Sequence, residues 1–428
     1  MSGQNSKLKI FCTYVIVLLP ILGMYGFMSK SITLADILII IALTLVLIDS
    51  IITKKLVISN KDYFVFTIWC VLSTLYASAF YAGLFSGITG AQMIKLLVYS
   101  LAIIVVPIRY FDFNLATKIY TKIVILLSII VFVQYFIYLI KGTFYPWVIN
   151  NKYFPAIYVN DDYFSTGYLY MLGGGTFRPS SIFSEPALFA QYVSPCLALN
   201  MFSKDSKNKY LILLIITIAT FLGKSANGII YVAAMWFFYI LINFYTTLKK
   251  NSFKLKPSFI IILLCLLLLS PVYVPKINNL IFGNEKYSLM NRISEINDDK
   301  GETSGSMRIM RGWQIYNKMN FTEKVSGIGI GNILNYLNIH PNTVKMFTKS
   351  YNGYMSGLSA IFVNFGLVGG IIFLIWLFKQ YFNKNELSKC LVIFFVLYLI
   401  ASNSFLAPQY VVTIILIIST NALKNNCN

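Results

Sequence analysis

The sequence predicts an all-α polytopic integral membrane protein, with about 12 transmembrane helices and two long outward-facing loops. Three observations predict it. Apolar runs near span length recur from one end of the chain to the other. Hydrophobic residues make up 57% of the 428 and charged residues only 12%, too few to coat soluble domains of that total size. Lysine and arginine gather in alternate loops between the runs, as the positive-inside rule requires. The formal charge of +20 is explained by those loops, which removes the case for nucleic acid as a partner.

The predicted spans fall near 10–28, 34–53, 63–82, 91–108, 119–140, 184–202, 209–223, 226–246, 258–275, 354–378, 388–403 and 405–422. Lys7 and Lys9 precede the first run in the manner of a signal peptide. Its length, its lack of a small-residue cleavage site and the run that follows at once predict an uncleaved span instead. The spans at 209–223 and 388–403 are short and tightly connected to their neighbours.

Orientation follows from the short loops. One alternate set carries Lys7 and Lys9; Lys54, Lys55 and Lys61; Arg109, Lys118 and Lys122; Lys204, Lys207 and Lys209; Lys249, Lys250, Lys254 and Lys256; Lys379, Lys384 and Lys389; and Lys424. The other short loops hold only Lys30 and Lys224. Both termini are therefore predicted to be cytoplasmic, with loops 141–183 and 276–353 outside. The inner loops are too short to house a nucleotide-binding domain, so any chemistry belongs to the outer face and to a lipid-linked donor. No internal repeat is visible, which weakens a transporter built from duplicated halves.

Cysteines at 12, 70, 196, 265, 390 and 427 sit in apolar runs or the C-terminal tail, which argues against disulfide staples and a cysteine zinc site. His340 is the only histidine and makes no metal site alone. No cofactor is expected. Asp161-Asp162 could hold a divalent ion, although an adjacent acidic pair in a polar loop is more often simply solvated.

The chemistry-bearing stretch runs from Phe177 to Ala190. Arg178 closes a polar loop, Pro186 suits the first turn of a helix, and Ser184 or Glu185 can cap that turn. A helix N-terminus beside a fixed cation is suited to an anion such as phosphate. The structural alternative is an interfacial arginine and a well-capped helix. Gly173-Gly174-Gly175 predicts a hinge just before Arg178. Tyr153, Tyr158, Tyr163, Tyr168, Tyr170 and Trp147 suit a membrane interface, and also sugar stacking. Gly223-Lys224-Ser225 lacks the earlier glycine of a phosphate-binding P-loop, since Ile218 stands there. Lys95 is expected to snorkel to the interface.

In the second long loop, apolar residues at 309, 310, 313 and 316 predict an amphipathic helix lying on the membrane, with Arg308 and Arg311 near one another. Gly327-Ile328-Gly329-Ile330-Gly331 reads as a tight turn rather than a dinucleotide fingerprint. Gly366, Gly369 and Gly370 predict close helix packing in the tenth span.

Taken in order, these motifs resemble the O-antigen polymerase (Wzy-type) family of the O-antigen polymerase and ligase superfamily, over residues 140–375. The matching features are Arg178 followed by Phe183-Ser184-Glu185-Pro186, Ser304-Gly305-Ser306 followed by Arg308, Trp313, the 327–331 turn, and Asn352 leading into a glycine-bearing span. The ligase branch usually carries a histidine where this chain reads Tyr351-Asn352, and many relatives have an arginine where this chain reads Lys224-Ser225-Ala226-Asn227.

The resemblance implies a metal-independent glycosyltransferase in the bacterial inner membrane, acting on its outer face. It would move a glycan from undecaprenyl diphosphate onto the terminal sugar of a new lipid-linked repeat unit. Its implied partners are that donor and acceptor, membrane lipid and a chain-length regulator protein. Arg178 and Arg308 are the implied catalytic residues, with Arg311, Lys224, Tyr351 and Asn352 contacting substrate. Few outer carboxylates sit near those arginines in the sequence, which makes Glu185 the best candidate for the catalytic base, the alternative being that it only orients Arg178. The alternatives are an O-antigen ligase, a lipid-linked oligosaccharide flippase or transporter, and a structural assembly subunit.

Overall fold

The computed structural model describes residues 2–28, 32–80, 87–142, 153–156, 177–203, 208–249, 304–340, 355–382, 385–402 and 405–425. The predicted span 258–275, Asp161-Asp162, Gly173–Gly175, Tyr351 and Asn352 lie outside them.

The helices, in chain order, are α1 Ser2–Leu22, α2 Leu34–Thr53, α3 Lys61–Phe80, α4 Gly87–Arg109, α5 Phe113–Lys141, α6 Pro186–Met201 and α7 Lys209–Leu222. Then come α8 Ala226–Lys249, α9 Ser304–Lys318, α10 Phe321–Ser326, α11 Ile333–Ile339, α12 Gly357–Phe382, α13 Glu386–Ala401 and α14 Pro408–Asn425. Among the described residues the only extended pairings are the isolated bridges Tyr25–Ala156 and Gly26–Thr33. Among the described residues, six helices are long and apolar enough to cross a membrane: α2, α3, α4 from Ile88, α5, α8 as far as Tyr245, and α12. That is the character of a multi-pass membrane protein. Helices occupy each predicted span within the described residues, but α6, α7 and α13 have only 16, 14 and 16 residues.

Side-chain placement agrees with an apolar surrounding. Ile40, Ile41, Leu45, Ile48, Ile51 and Ile52 of α2 are all exposed. In water that face would be costly; against lipid tails it is not. Hydroxyls inside the helices return to their own backbone: Thr67 Oγ1 donates to Tyr63 O (2.9 Å), Thr74 Oγ1 to Cys70 O (2.7 Å) and Thr220 Oγ1 to Ile216 O (2.8 Å). Such pairing removes the penalty of burying an unbonded hydroxyl.

The chain divides into two compact units: Met1–Ile123 with Val148–Val159 and Ile296–Asn428, and Val124–Trp147 with Asn160–Glu295. In the first unit, α3 packs along α12, α12 on α13, and α4 on α14. Its centre is aromatic. Tyr63, Phe66, Phe365, Phe373, Trp376, Phe395 and Tyr410 meet in tilted and edge-on pairs with centroids 5.2 to 6.4 Å apart. A capping box starts α2: Thr33 Oγ1 accepts from Asp36 N at 2.9 Å, and Asp36 Oδ2 accepts from Thr33 N at 3.0 Å.

The loop expected at 276–353 contains α9, α10 and α11, and the 327–331 turn is more than a turn. Helix α12 breaks at Gly366 (φ 67°, ψ −171°), which releases the carbonyls of the preceding turn. The glycine segment takes them up. Ile328 N donates to Val363 O (3.0 Å) and Gly329 N to Asn364 O (2.8 Å), while Trp69 Nε1 of α3 donates to Phe365 O (2.9 Å). Ser73 Oγ also reaches Asn364 O at 3.3 Å. A broken helix among apolar helices is tolerated only where such partners restore its backbone bonds. Gly369 packs as expected: a Cβ there would lie 2.9 Å from Trp69 Cδ1.

Candidate functional site

In the second unit, α6 packs between α7 and α8 and carries the candidate site at its N-terminal end. Two buried aromatics pin the segment that leads into it. Phe177 stacks on Tyr138 of α5 (centroids 4.5 Å, 21° between planes), and Phe183 meets Phe189 and Tyr192 of α6. Between the pins, Ser181 is fully buried with φ 58°. That left-handed conformation costs a non-glycine residue roughly 1–2 kcal/mol. Two bonds from a single α5 side chain offset it. Gln134 Nε2 donates to Ser181 O and Ser181 N donates to Gln134 Oε1, each at 2.9 Å. Two such bonds contribute roughly 0.5–1.5 kcal/mol each.

Pro186 takes the first helical position of α6, as the sequence predicts. The capping expectation is corrected. Glu185 is the N-cap residue by backbone (φ −137°, ψ 144°), but its side chain makes no cap hydrogen bond. Nor does Ser184, whose buried Oγ has no hydrogen-bond partner among the described residues. Glu185 forms no ion pair among the described residues, so its carboxylate is uncommitted.

The turn joining α7 to α8 lies against this segment. A Cβ on Gly223 would sit 3.3 Å from Pro179 O and 3.6 Å from Pro186 Cβ, ordinary to tight contact. The next residue, Lys224, has φ 48° and is half-buried. Burial lowers its pKa, and the Arg178 guanidinium lowers it further. Two half-buried cations near a helix N-terminus repel one another and attract an oxyanion. The structure thus brings Lys224 into electrostatic range of Arg178, close to the entry of α6.

A pH dependence follows. The lowered pKa means that Lys224 loses its charge at a lower pH than an ordinary lysine. A bound anion would favour the charged form, so binding takes up a proton at alkaline pH. The affinity for an anion such as pyrophosphate should therefore fall as pH climbs through the pKa of Lys224. Lys224→Arg, whose guanidinium stays charged, should hold that affinity flat over the same range. Parallel pH profiles for the two proteins would remove Lys224 from the anion site.

Arg308 and Arg311 lie on α9, in the first unit. The helix predicted there is present, but Arg311 is 2% exposed and Met310 46% exposed, so the arginine turns into the protein and Met310 out of it. α9 packs on α12 at Gly312, which has no side chain to hold off Ser359, and Ile315 joins a buried cluster with Ala360 and Val363 of α12. Burial pulls the Arg311 guanidinium below its ordinary value. The Arg308 backbone is helical on the same element. His340 ends α11, exposed, with its ring 4.8 Å from that of Tyr336. The Lys95 ammonium lies 5.3 Å from the Tyr99 ring centroid, and the Tyr99 hydroxyl donates to Asp36 Oδ1 at 2.7 Å.

Gln134 is the residue that sequence reasoning missed. Its signal was present: a glutamine in the middle of the apolar run 119–140, where an amide needs a partner. No protein-family model matches this chain, and no curated protein matches it. The functional reading therefore rests on the chain's own residues.

Proposed function

We propose that this chain polymerises lipid-linked oligosaccharide repeat units, as a glycosyltransferase of the O-antigen polymerase type. The observation that carries the reading is the packing of the α7–α8 turn against Pro179 and Pro186, which brings Lys224 into electrostatic range of Arg178 at the entry of α6. A diphosphate leaving group needs such charge. The acceptor sugar hydroxyl attacks the anomeric carbon of the donor, and the new C–O bond replaces the one to the diphosphate. The diphosphate oxygen keeps the electron pair of the broken bond. Arg178 and Lys224 stabilise that charge, with arginine offering a planar two-point contact. Glu185 accepts the hydroxyl proton. Arg308 is proposed to serve the reaction on the resemblance alone, as are Arg311, Tyr351 and Asn352 in contacting substrate.

The proposed setting is the bacterial inner membrane, with about twelve spans, both termini cytoplasmic, and the loops near 141–183 and 276–353 outside. One experiment separates the function classes. Deletion of a polymerase leaves export and ligation working, so single repeat units should still reach the surface acceptor. Purified protein, given undecaprenyl diphosphate-linked units without nucleotide or divalent metal, should extend them. Full-length polymer retained on its lipid carrier in the deletion strain would identify a ligase instead. Repeat units trapped facing the cytoplasm would identify a flippase.

A further inference from the structure

We propose that Gln134 is a positioning residue for the anion site, acting from within a membrane-length helix by holding Ser181 in its left-handed turn. The proposal rests on the diphosphate reading of Arg178 and Lys224. Gln134 is 2% exposed and lies on α5, one of the long apolar helices. An amide there is costly unless fully bonded. Its bonding is directed at one residue, with donor and acceptor both spent on the peptide groups of Ser181. Ser181 reverses the chain between Arg178 and Pro186. The Phe177 and Phe183 pins flank that reversal, and Ser180 Oγ donates to Phe183 O at 2.7 Å on its far side. The reversal therefore sets where Arg178 stands relative to the first turn of α6. Loss of the clamp leaves both pins in place and frees the backbone between them.

The two roles of the amide can be separated. Gln134→Ala removes both bonds. Gln134→Glu keeps an acceptor for Ser181 N and sets an oxygen against Ser181 O. In either background, Ser181→Gly removes the conformational demand that the clamp satisfies. With purified full-length protein and lipid-diphosphate-linked repeat units, Gln134→Ala should lower kcat/KM by about tenfold or more, as small misplacements of a binding group do. Most of the change should appear in the donor KM. Adding Ser181→Gly should recover several-fold of it.

A second measurement stands apart from the polymerase reading: the rise in thermal midpoint that inorganic pyrophosphate gives the detergent-solubilised protein. Wild type should show the rise, Arg178→Ala should lose it, and Gln134→Ala should show a reduced rise that Ser181→Gly restores. A pyrophosphate response of this pattern without repeat-unit extension would refute the polymerase and keep the positioning role. The proposal is overturned if the glycine gives no recovery in either assay, or if activity falls only in step with the amount of folded protein. A wild type that neither extends units nor responds to pyrophosphate would overturn both readings. Should Gln134→Ala fail to accumulate, the Gln134→Glu pair carries the same comparison.

Discussion

Arg178→Ala should abolish the polymer or shorten it to a few units, while the protein stays at wild-type levels in the membrane. Arg178 is half-buried between a pinned aromatic and the α6 N-terminus, so its removal deletes a cation without opening a core. Loss of one preorganised group facing developing negative charge costs roughly 2.7–4 kcal/mol, or 10²–10³ in rate. Arg178→Lys should recover only part, because it keeps the charge and loses the planar fork. A second readout is built into the site. The Arg178 charge lowers the pKa of Lys224, so its removal should move the alkaline limb of the donor KM profile to higher pH. Arg308→Ala should shorten the polymer as well, on the resemblance. Normal polymer ladders from both alanine variants, read on gels of surface polysaccharide, would remove the arginines from the reaction.

Gly366→Ala and Gly327→Ala should each prevent stable accumulation, the largest stability effects expected in the chain. Gly366 (φ 67°, ψ −171°) and Gly327 (φ 84°, ψ 169°) occupy backbone conformations open essentially to glycine alone. Space is missing too. A Cβ on Gly366 would collide with the Val325 carbonyl, and one on Gly327 with the Asn364 carbonyl. Either collision separates the segment from the broken helix, and Ile328 N and Gly329 N lose their acceptors. Backbone strain of roughly 1–3 kcal/mol, with buried polar groups left unbonded at roughly 1–3 kcal/mol each, takes much of a typical folding margin. Gly90→Ala in α4 is the control, because nothing lies within 4 Å of a Cβ there. Membrane protein levels and thermal midpoints decide the matter. Gly366→Ala at wild-type level and midpoint would mean that the break is not needed.

Much of the architecture was legible in the sequence because hydropathy and capping act between chain neighbours. The run 34–53 coincides with α2, whose start is marked by Thr33 and Asp36. Pro186 signalled the start of α6, and Arg178 and Glu185 were singled out from their seven-residue spacing at that junction. Local pattern misled at α9. The 3.6-residue period showed that Ile309, Met310, Trp313 and Tyr316 could share a face, but not that Gly312 would let Ser359 of α12 approach or that Arg311 would be buried.

The sequence by itself determined an all-helical chain of apolar spans, the place of the α6 junction and the basic character of alternate loops. The tertiary structure alone decided that α12 breaks at Gly366, that 327–331 repairs the break, and that Lys224 comes within range of Arg178. It also decided that Gln134 closes on Ser181. The physical reason is the same in each case. A span forms because each peptide group finds its partner four residues away, which composition along the chain encodes. The peptide groups freed at Gly366 and Ser181 take partners from distant segments, such as Trp69 for Phe365 and Gln134 for Ser181. Only the folded packing brings those partners within hydrogen-bond reach.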